Sequence, residues 1–266
     1  MDTKQLLNDE ELTAVVGGNQ ASMNQWSQSV GFILRQLEDM AANASAADQA
    51  VLRRYISALK STCSEAGTES ASITIANIYT MNVLFVNACV REQSRTLLLA
   101  RHLLRRLSAQ VSEIRLEDMD MKPLTKHSLS QRDDLLRQGK WEDPSFCLAR
   151  QFADADCIVI AAPYWDFGFP ALLKIYLETV TVSGITFCYE EGRPRGLCKA
   201  KKLYYITTAG GPIVSDFGYP YVQSLAENLY GIGDTICIRA ENLDMDGADI
   251  TGALEKAKQE IDNQTR

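Results

Sequence analysis

Histidine is scarce in this sequence: His102 and His127 are the only two among 266 residues. They do not make an obvious catalytic pair. His102 falls within a predicted helix and reads as structural or exposed. His127 falls in a long loop and is a candidate to line a substrate slot. Cysteine is present but unpatterned. The seven residues, Cys63, Cys89, Cys147, Cys157, Cys188, Cys198 and Cys237, are odd in number and contain no C-x-x-C pair. That argues against a disulfide framework and against a zinc site. Buried thiols in a reducing, cytoplasmic compartment are expected instead. No apolar run approaches the length of a membrane span, and no signal-peptide core is found. Neither G-x-G-x-x-G nor G-x-x-x-x-G-K-[ST] occurs, which weighs against a dinucleotide fingerprint and a P-loop. Positive charge is also thin. The net charge is −7 and no basic stripe is available to match phosphates, so nucleic acid is disfavoured as a partner. The short cluster at Arg101–Arg106 is expected on the solvated side of a helix.

What the sequence does hold is clearest between Asp156 and Val180. Cys157 to Ala162 is a continuous apolar run, the pattern of a strand buried on both faces of a parallel sheet. Pro163 has no N–H for the ladder. Pro170 suits a first helical position, and Leu172, Leu173, Ile175, Tyr176 and Val180 follow at near-helical spacing. Tyr164-Trp-Asp-Phe-Gly168 is therefore a short connection at the carboxyl end of a central strand, where ligands bind in open α/β sheets. Two readings are open: its aromatics wall a flat ligand, or they tuck into the core.

The same alternation fills residues 81–266. Strands are predicted at Asn82–Asn87, Val111–Leu116, Cys157–Ala162, Lys202–Thr208 and Thr235–Arg239. Helices are predicted at Thr96–Ser108, Gln131–Gln138, Pro144–Ala153, Pro170–Val180, Tyr219–Tyr230 and Ile250–Asn263. Asp118–Leu129 reads as a long loop, and Ile185–Tyr189 as an extended piece turned by Glu190-Glu-Gly192. Alternating strands and helices give an α/β, doubly wound, five-stranded parallel sheet. The expected order is 2-1-3-4-5, with a switch point between strands one and three.

Three loops would then converge. The first, Asn87 to Thr96, feeds a helix N-terminus, where free N–H groups and the dipole favour an anion. Ser94 and Thr96 offer hydroxyls there, and Arg91 and Arg95 offer charge. The alternative is that Ser94 only caps the helix and both arginines face water. The second loop is aromatic: Pro163, Tyr164, Trp165, Asp166 and Phe167. The third is Thr208-Ala-Gly-Gly211, whose glycines let backbone approach a ligand. A phosphate subsite, an aromatic wall and a glycine loop together outline FMN.

These pieces also carry a resemblance. Ser94-Arg-Thr96, Ala162-Pro-Tyr-Trp-Asp-Phe167, Gly184-Ile-Thr-Phe-Cys-Tyr189 and Ile206-Thr-Thr-Ala-Gly-Gly211 stand in the order and near the separations of the flavodoxin-like NAD(P)H dehydrogenase (quinone) family, which includes FMN-dependent azoreductases. The resemblance implies a flavodoxin-like fold with the FMN phosphate around Ser94–Thr96 and the ring along Pro163–Phe167 and Thr208–Gly211. It implies a ping-pong oxidoreductase that takes electrons from NADH or NADPH and passes them to quinone, azo or similar acceptors. It also implies a homodimer, with Trp165, Phe167, Phe187 and Tyr189 covered by the partner. Tyr189 resembles a family position near the flavin, for substrate stacking or proton supply; a core or interface tyrosine is the alternative. Azoreductases commonly have Asn where this chain has Asp166, and a carboxylate has no N–H to donate.

Residues 1–80 differ in texture. Met1–Gly18 resembles the double-glycine leader of bacteriocin-type peptides, with Leu7, Glu11, Leu12 and Val15 ahead of Gly17-Gly18. The resemblance implies a peptidase of an exporter that reads residues 1–18 and cuts after Gly18; a large enzyme downstream is a departure from that family. Residues 19–80 read as a helical appendage and linker: amphipathic helices over Trp26–Met40 and Asp48–Lys60, then a polar tether over Ser61–Thr80. Two further functions stay open, an FMN electron-transfer protein without its own substrate and a delivery or maturation partner of a leader-peptide system.

Overall fold

The computed structural model describes residues 81–265 and, ahead of them, Ile56 alone. The leader-like segment 1–18, the helix expected over Trp26–Met40, the helix expected over Asp48–Lys60 apart from Ile56, and the tether 61–80 lie outside the described residues. The chain divides into two units, Met1–Thr80 and Met81–Arg266.

In the second unit, strand β1 (Met81–Asn87) leads into α1 (Arg95–Arg106), β2 (Ala109–Arg115), α2 (Lys126–Arg137), α3 (Cys147–Asp154) and β3 (Cys157–Ala161). Then come α4 (Ala171–Val180), a hairpin of β4 (Phe187–Glu190) and β5 (Arg193–Gly196), β6 (Lys202–Thr208), α5 (Tyr219–Leu225), β7 (Asp234–Ala240) and α6 (Ile250–Gln264). The main sheet has the order β2-β1-β3-β6-β7, and every pairing in it is parallel. Leaving out the hairpin, this is the expected order 2-1-3-4-5. The ends of β1 and β3 lie side by side, with Asn87 opposite Ala161.

β3 shows why the sheet is central. Its side chains alternate between two cores, as the period of a strand requires. Ile158 and Ile160 join Phe152, Tyr176, Leu177 and Tyr230 beneath α3, α4 and α5. Cys157, Val159 and Ala161 join Phe85, Leu99, Leu103 and Ile261 beneath α1 and α6. Both faces are covered, so the run is apolar throughout. The Phe152 ring is fully buried and meets Tyr230 edge-on at 5.0 Å.

Several expectations shift. Strand two begins at Ala109 rather than Val111. The expected loop Asp118–Leu129 contains the start of α2, because Thr125 and Ser128 cap it reciprocally; His127 is thus an exposed residue in a helix's first turn. Pro170 is the N-cap of α4, not its first residue. Pro163 does not end the pairing with β6: Ala162 N donates to Ile206 O and Tyr164 N to Thr208 O, each at 3.0 Å. The expected helix Tyr219–Tyr230 changes at Ala226 into a π-turn ending at Tyr230. Phe187, expected to be exposed, is buried at 9% in its own chain, with Tyr189 packed edge-on against it.

Candidate functional site

The site grows from the carboxyl end of the sheet. Asn87, the last residue of β1, is buried. Its Nδ2 donates to Glu113 Oε1 at 2.9 Å, and its Oδ1 accepts from Cys89 N at 3.0 Å. The amide thereby turns the chain off the sheet. Burial pushes the Cys89 thiol up to about 11, so this cysteine is a neutral packing group and not a nucleophile. Val90 to Gln93 are exposed. Ser94 then caps α1 by accepting from Leu97 N at 3.2 Å. The first amides of the helix, those of Arg95 and Thr96, have no carbonyl within the helix to bond, because the chain four residues back precedes it.

Thr96 is buried and its hydroxyl lies 2.6 Å from that of Thr208. This bond pins the N-terminus of α1 to the end of β6. Only one of the two hydroxyls donates in it, which leaves the other proton free for a ligand.

The aromatic loop is a tight turn. Trp165 and Gly168 exchange backbone bonds, Trp165 N to Gly168 O at 3.2 Å and Gly168 N to Trp165 O at 2.7 Å. Between them Asp166 and Phe167 both have positive φ, 50° and 64°. Two left-handed residues in sequence define a type I′ turn. Asp tolerates that conformation; Phe adopts it under strain. The turn is braced from below by Phe217 N donating to Phe167 O at 2.8 Å, and Tyr164 Oη donates to Ser215 O at 2.6 Å. Trp165 and Phe167 are exposed at 36% and 51%, not tucked into the core.

The third wall pairs with a fourth. Ala209 N donates to Ala240 O, Leu243 N to Ala209 O and Asp244 N to Gly210 O, so the β6 and β7–α6 loops run together. Arg95 reaches across α1 to this fourth loop: its Nη1 donates to Leu243 O at 3.0 Å and to Asp244 Oδ1 at 2.7 Å. A Cβ on Gly210 would collide with Asp244 Oδ2, whereas one on Gly211 would meet nothing within 4 Å. The first glycine thus makes room for a side chain of this chain.

These walls enclose a cleft of about 500 Å³. From the first loop it is lined by Arg91, Ser94, Arg95 and Thr96; from the second by Pro163, Tyr164 and Trp165; from the third by Thr208, Ala209 and Gly210. Asp166, Phe167 and Gly211 adjoin it without lining it, and neither His127 nor Tyr189 lines it. Tyr189 stands on the β4–β5 hairpin, 65% exposed. His102 is bonded to Asp262 at 2.9 Å. Sequence reasoning missed Val90, Gln93, Leu243 and Asp244. The last two have no local signal, being joined to Arg95 across 148 and 149 positions.

The donor set suits FMN. One end offers two helix amides, hydroxyls and two guanidinium groups, the chemistry of a phosphate site. The other offers an indole and loop backbone beside open space at Gly211. Among the described residues, no group of His, Cys, Asp or Glu is placed to hold a metal ion, and no helix is long and apolar enough to cross a membrane. The described cysteines are all free thiols.

Residues 81–265 match the family described as having the flavodoxin-like fold. The FMN-dependent NADH:quinone oxidoreductase of Lachnoclostridium phytofermentans is 33% identical over 189 residues, covering 66% of this chain and 94% of that protein. The FMN-dependent NADH:quinone oxidoreductase 2 of Clostridium acetobutylicum is 41% identical over 135 residues, covering 47% of this chain and 67% of that protein. Among solved structures, an azoreductase from Bacillus anthracis superposes with a TM-score of 0.62 at 21% identity, over 70% of this chain and 98% of that one. An FMN-dependent NADH-azoreductase from the same species, in complex with FMN, gives 0.59 at 23% identity, over 69% and 97%. At these identities the structural likeness speaks for the fold.

Proposed function

This chain belongs to the flavodoxin-like fold family, and on that footing we propose that it is an FMN-dependent NADH:acceptor oxidoreductase of the quinone reductase and azoreductase kind. The observation that carries the reading is the meeting of the α1 N-terminus, the Trp165 turn and the Thr208–Gly210 loop around one cleft. The cofactor supplies two-electron redox chemistry between nicotinamide and acceptor. The chain's own part is to bind and orient. Ser94, Thr96, Arg91 and Arg95 hold the phosphate, with the first amides of α1. Pro163, Tyr164 and Trp165 flank the ring on one side, and Thr208, Ala209 and Gly210 on the other. Donor and acceptor use one slot in turn, so the kinetics are ping-pong. Steady-state NADH consumption by the purified chain with a quinone, without added reductase, tests this. Turnover supports it; flavin binding without turnover points to an electron-transfer protein, and a colourless, inert chain points to a delivery partner.

The assembly belonging to this reading is a twofold dimer. Trp165, Phe167 and Phe217 are exposed beside the cleft, and Tyr189 is exposed on its hairpin; a second copy would cover such a surface. An active monomer in sedimentation at micromolar concentration overturns the dimer. For residues 1–80 the proposal is recruitment, export or assembly, with an exporter peptidase reading residues 1–18. A chain beginning at Thr80 should then keep flavin and turnover. A soluble but colourless truncated chain would assign residues 1–80 to the site.

A further inference from the structure

Asp244 is a carboxylate placed at the end of the cleft where the phosphate subsite lies. Its placement is built. The backbone beneath it is paired to the β6 loop through Asn242 N to Gly211 O, Leu243 N to Ala209 O and Asp244 N to Gly210 O. Its side chain occupies the notch that Gly210 leaves by having no Cβ. Its Oδ1 accepts a hydrogen bond from Arg95 Nη1 at 2.7 Å, while Leu243 O accepts the second from the same nitrogen at 3.0 Å.

Nη1 is thus fully used, and Arg95 retains Nε and Nη2 for a ligand. The charge balance matters more. Among the described residues that line the cleft, Arg91 and Arg95 are the two cations and Asp244 is the one carboxylate. It cancels one positive charge of Arg95 where a dianionic group is expected. The pair is open to water, with side chains 36% and 62% exposed. Such pairs hold weakly, and a phosphate dianion offers a guanidinium more negative charge than one carboxylate does.

We propose, building on the FMN reading above, that Asp244 is an internal competitor of the flavin phosphate for Arg95 and sets the cofactor's affinity below what the loop would otherwise give. Asp244→Asn is a clean probe, since the amide oxygen still accepts from Arg95 while the negative charge is gone. Leu243 O continues to hold the guanidinium. Riboflavin, which has the ring and ribityl chain but no phosphate, reports any effect that is merely structural.

The experiment is a fluorescence titration of flavin-stripped wild type, D244N, R95A and the double variant with FMN and with riboflavin at low salt. D244N is expected to bind FMN about two- to fivefold more tightly than wild type. Riboflavin binding should not change, and the gain should vanish in the R95A background. Unchanged or weaker FMN binding by D244N overturns the proposal, as does an equal shift for riboflavin. Wild type that binds FMN while D244N shows no gain defeats this proposal alone. Wild type that binds neither flavin defeats the FMN reading, and this proposal with it.

Discussion

The two ends of the cleft are built by opposite means. The end proposed to take the phosphate is made by side chains and amides at the start of a twelve-residue helix, α1. Ser94 caps it, Thr96 is bonded to Thr208, and Arg95 is held by Leu243 and Asp244. The end proposed to take the ring is made by backbone conformation: Asp166 and Phe167 in left-handed geometry, with the turn closed by Trp165 and Gly168. The first end depends on which groups are present. The second depends on whether a strained turn persists, and the paired strand ends and the loop carrying Phe217 are what hold it.

That contrast sets the expected effects. Arg95→Ala should be the largest, weakening FMN by an order of ~1–3 kcal/mol while sparing riboflavin. Equal binding of FMN by wild type and variant at low salt would place Arg95 outside the phosphate subsite. At the other end, Asp166→Val puts a β-branched side chain into the left-handed region, at a cost of about 1–2 kcal/mol in stability. It should lower FMN and riboflavin affinity alike, and Asp166→Asn should do neither, because Asn also tolerates that conformation. A phosphate-selective loss in Asp166→Val would erase the distinction between the ends. Ser94→Ala removes the helix cap and should cost ~1 kcal/mol in denaturant unfolding even without ligand; no change would make Ser94 purely a ligand residue. The smallest effect at neutral pH concerns the buried thiols. Burial pushes Cys89 and Cys157 up to about 11 and Cys198 to about 12. Their folded values lie above the ordinary 9.0, so the unfolded chain loses protons first as pH rises. Their stabilising contribution is complete below pH 9 and declines from there towards pH 12. Unfolding monitored across that window checks the sign, and exposed Cys147 should react with a thiol reagent well before these three.

The same contrast explains what could be read from sequence. Cys157–Ala161 announced itself because a strand buried on both faces is apolar at every position. Ser94 ahead of an amphipathic run marked the α1 N-terminus. The Trp165 turn was placed but not its type, since neither middle position is the glycine or asparagine that usually signals left-handed backbone. The start of α2 was missed because none of its residues is buried, leaving no apolar period to detect. Asp244 was invisible for a different reason. Its role comes from tertiary contact with Arg95 and Gly210, and an aspartate in an acidic loop carries no mark of that.

The central claim is that this cleft holds a phosphate-bearing flavin, and titration of the flavin-stripped chain with FMN and riboflavin tests it most directly. Saturable binding is predicted at one flavin per chain, with FMN bound at least about tenfold more tightly than riboflavin, a difference of about 1.4 kcal/mol. Equal affinity for the two flavins, or no saturable binding of either, would contradict it.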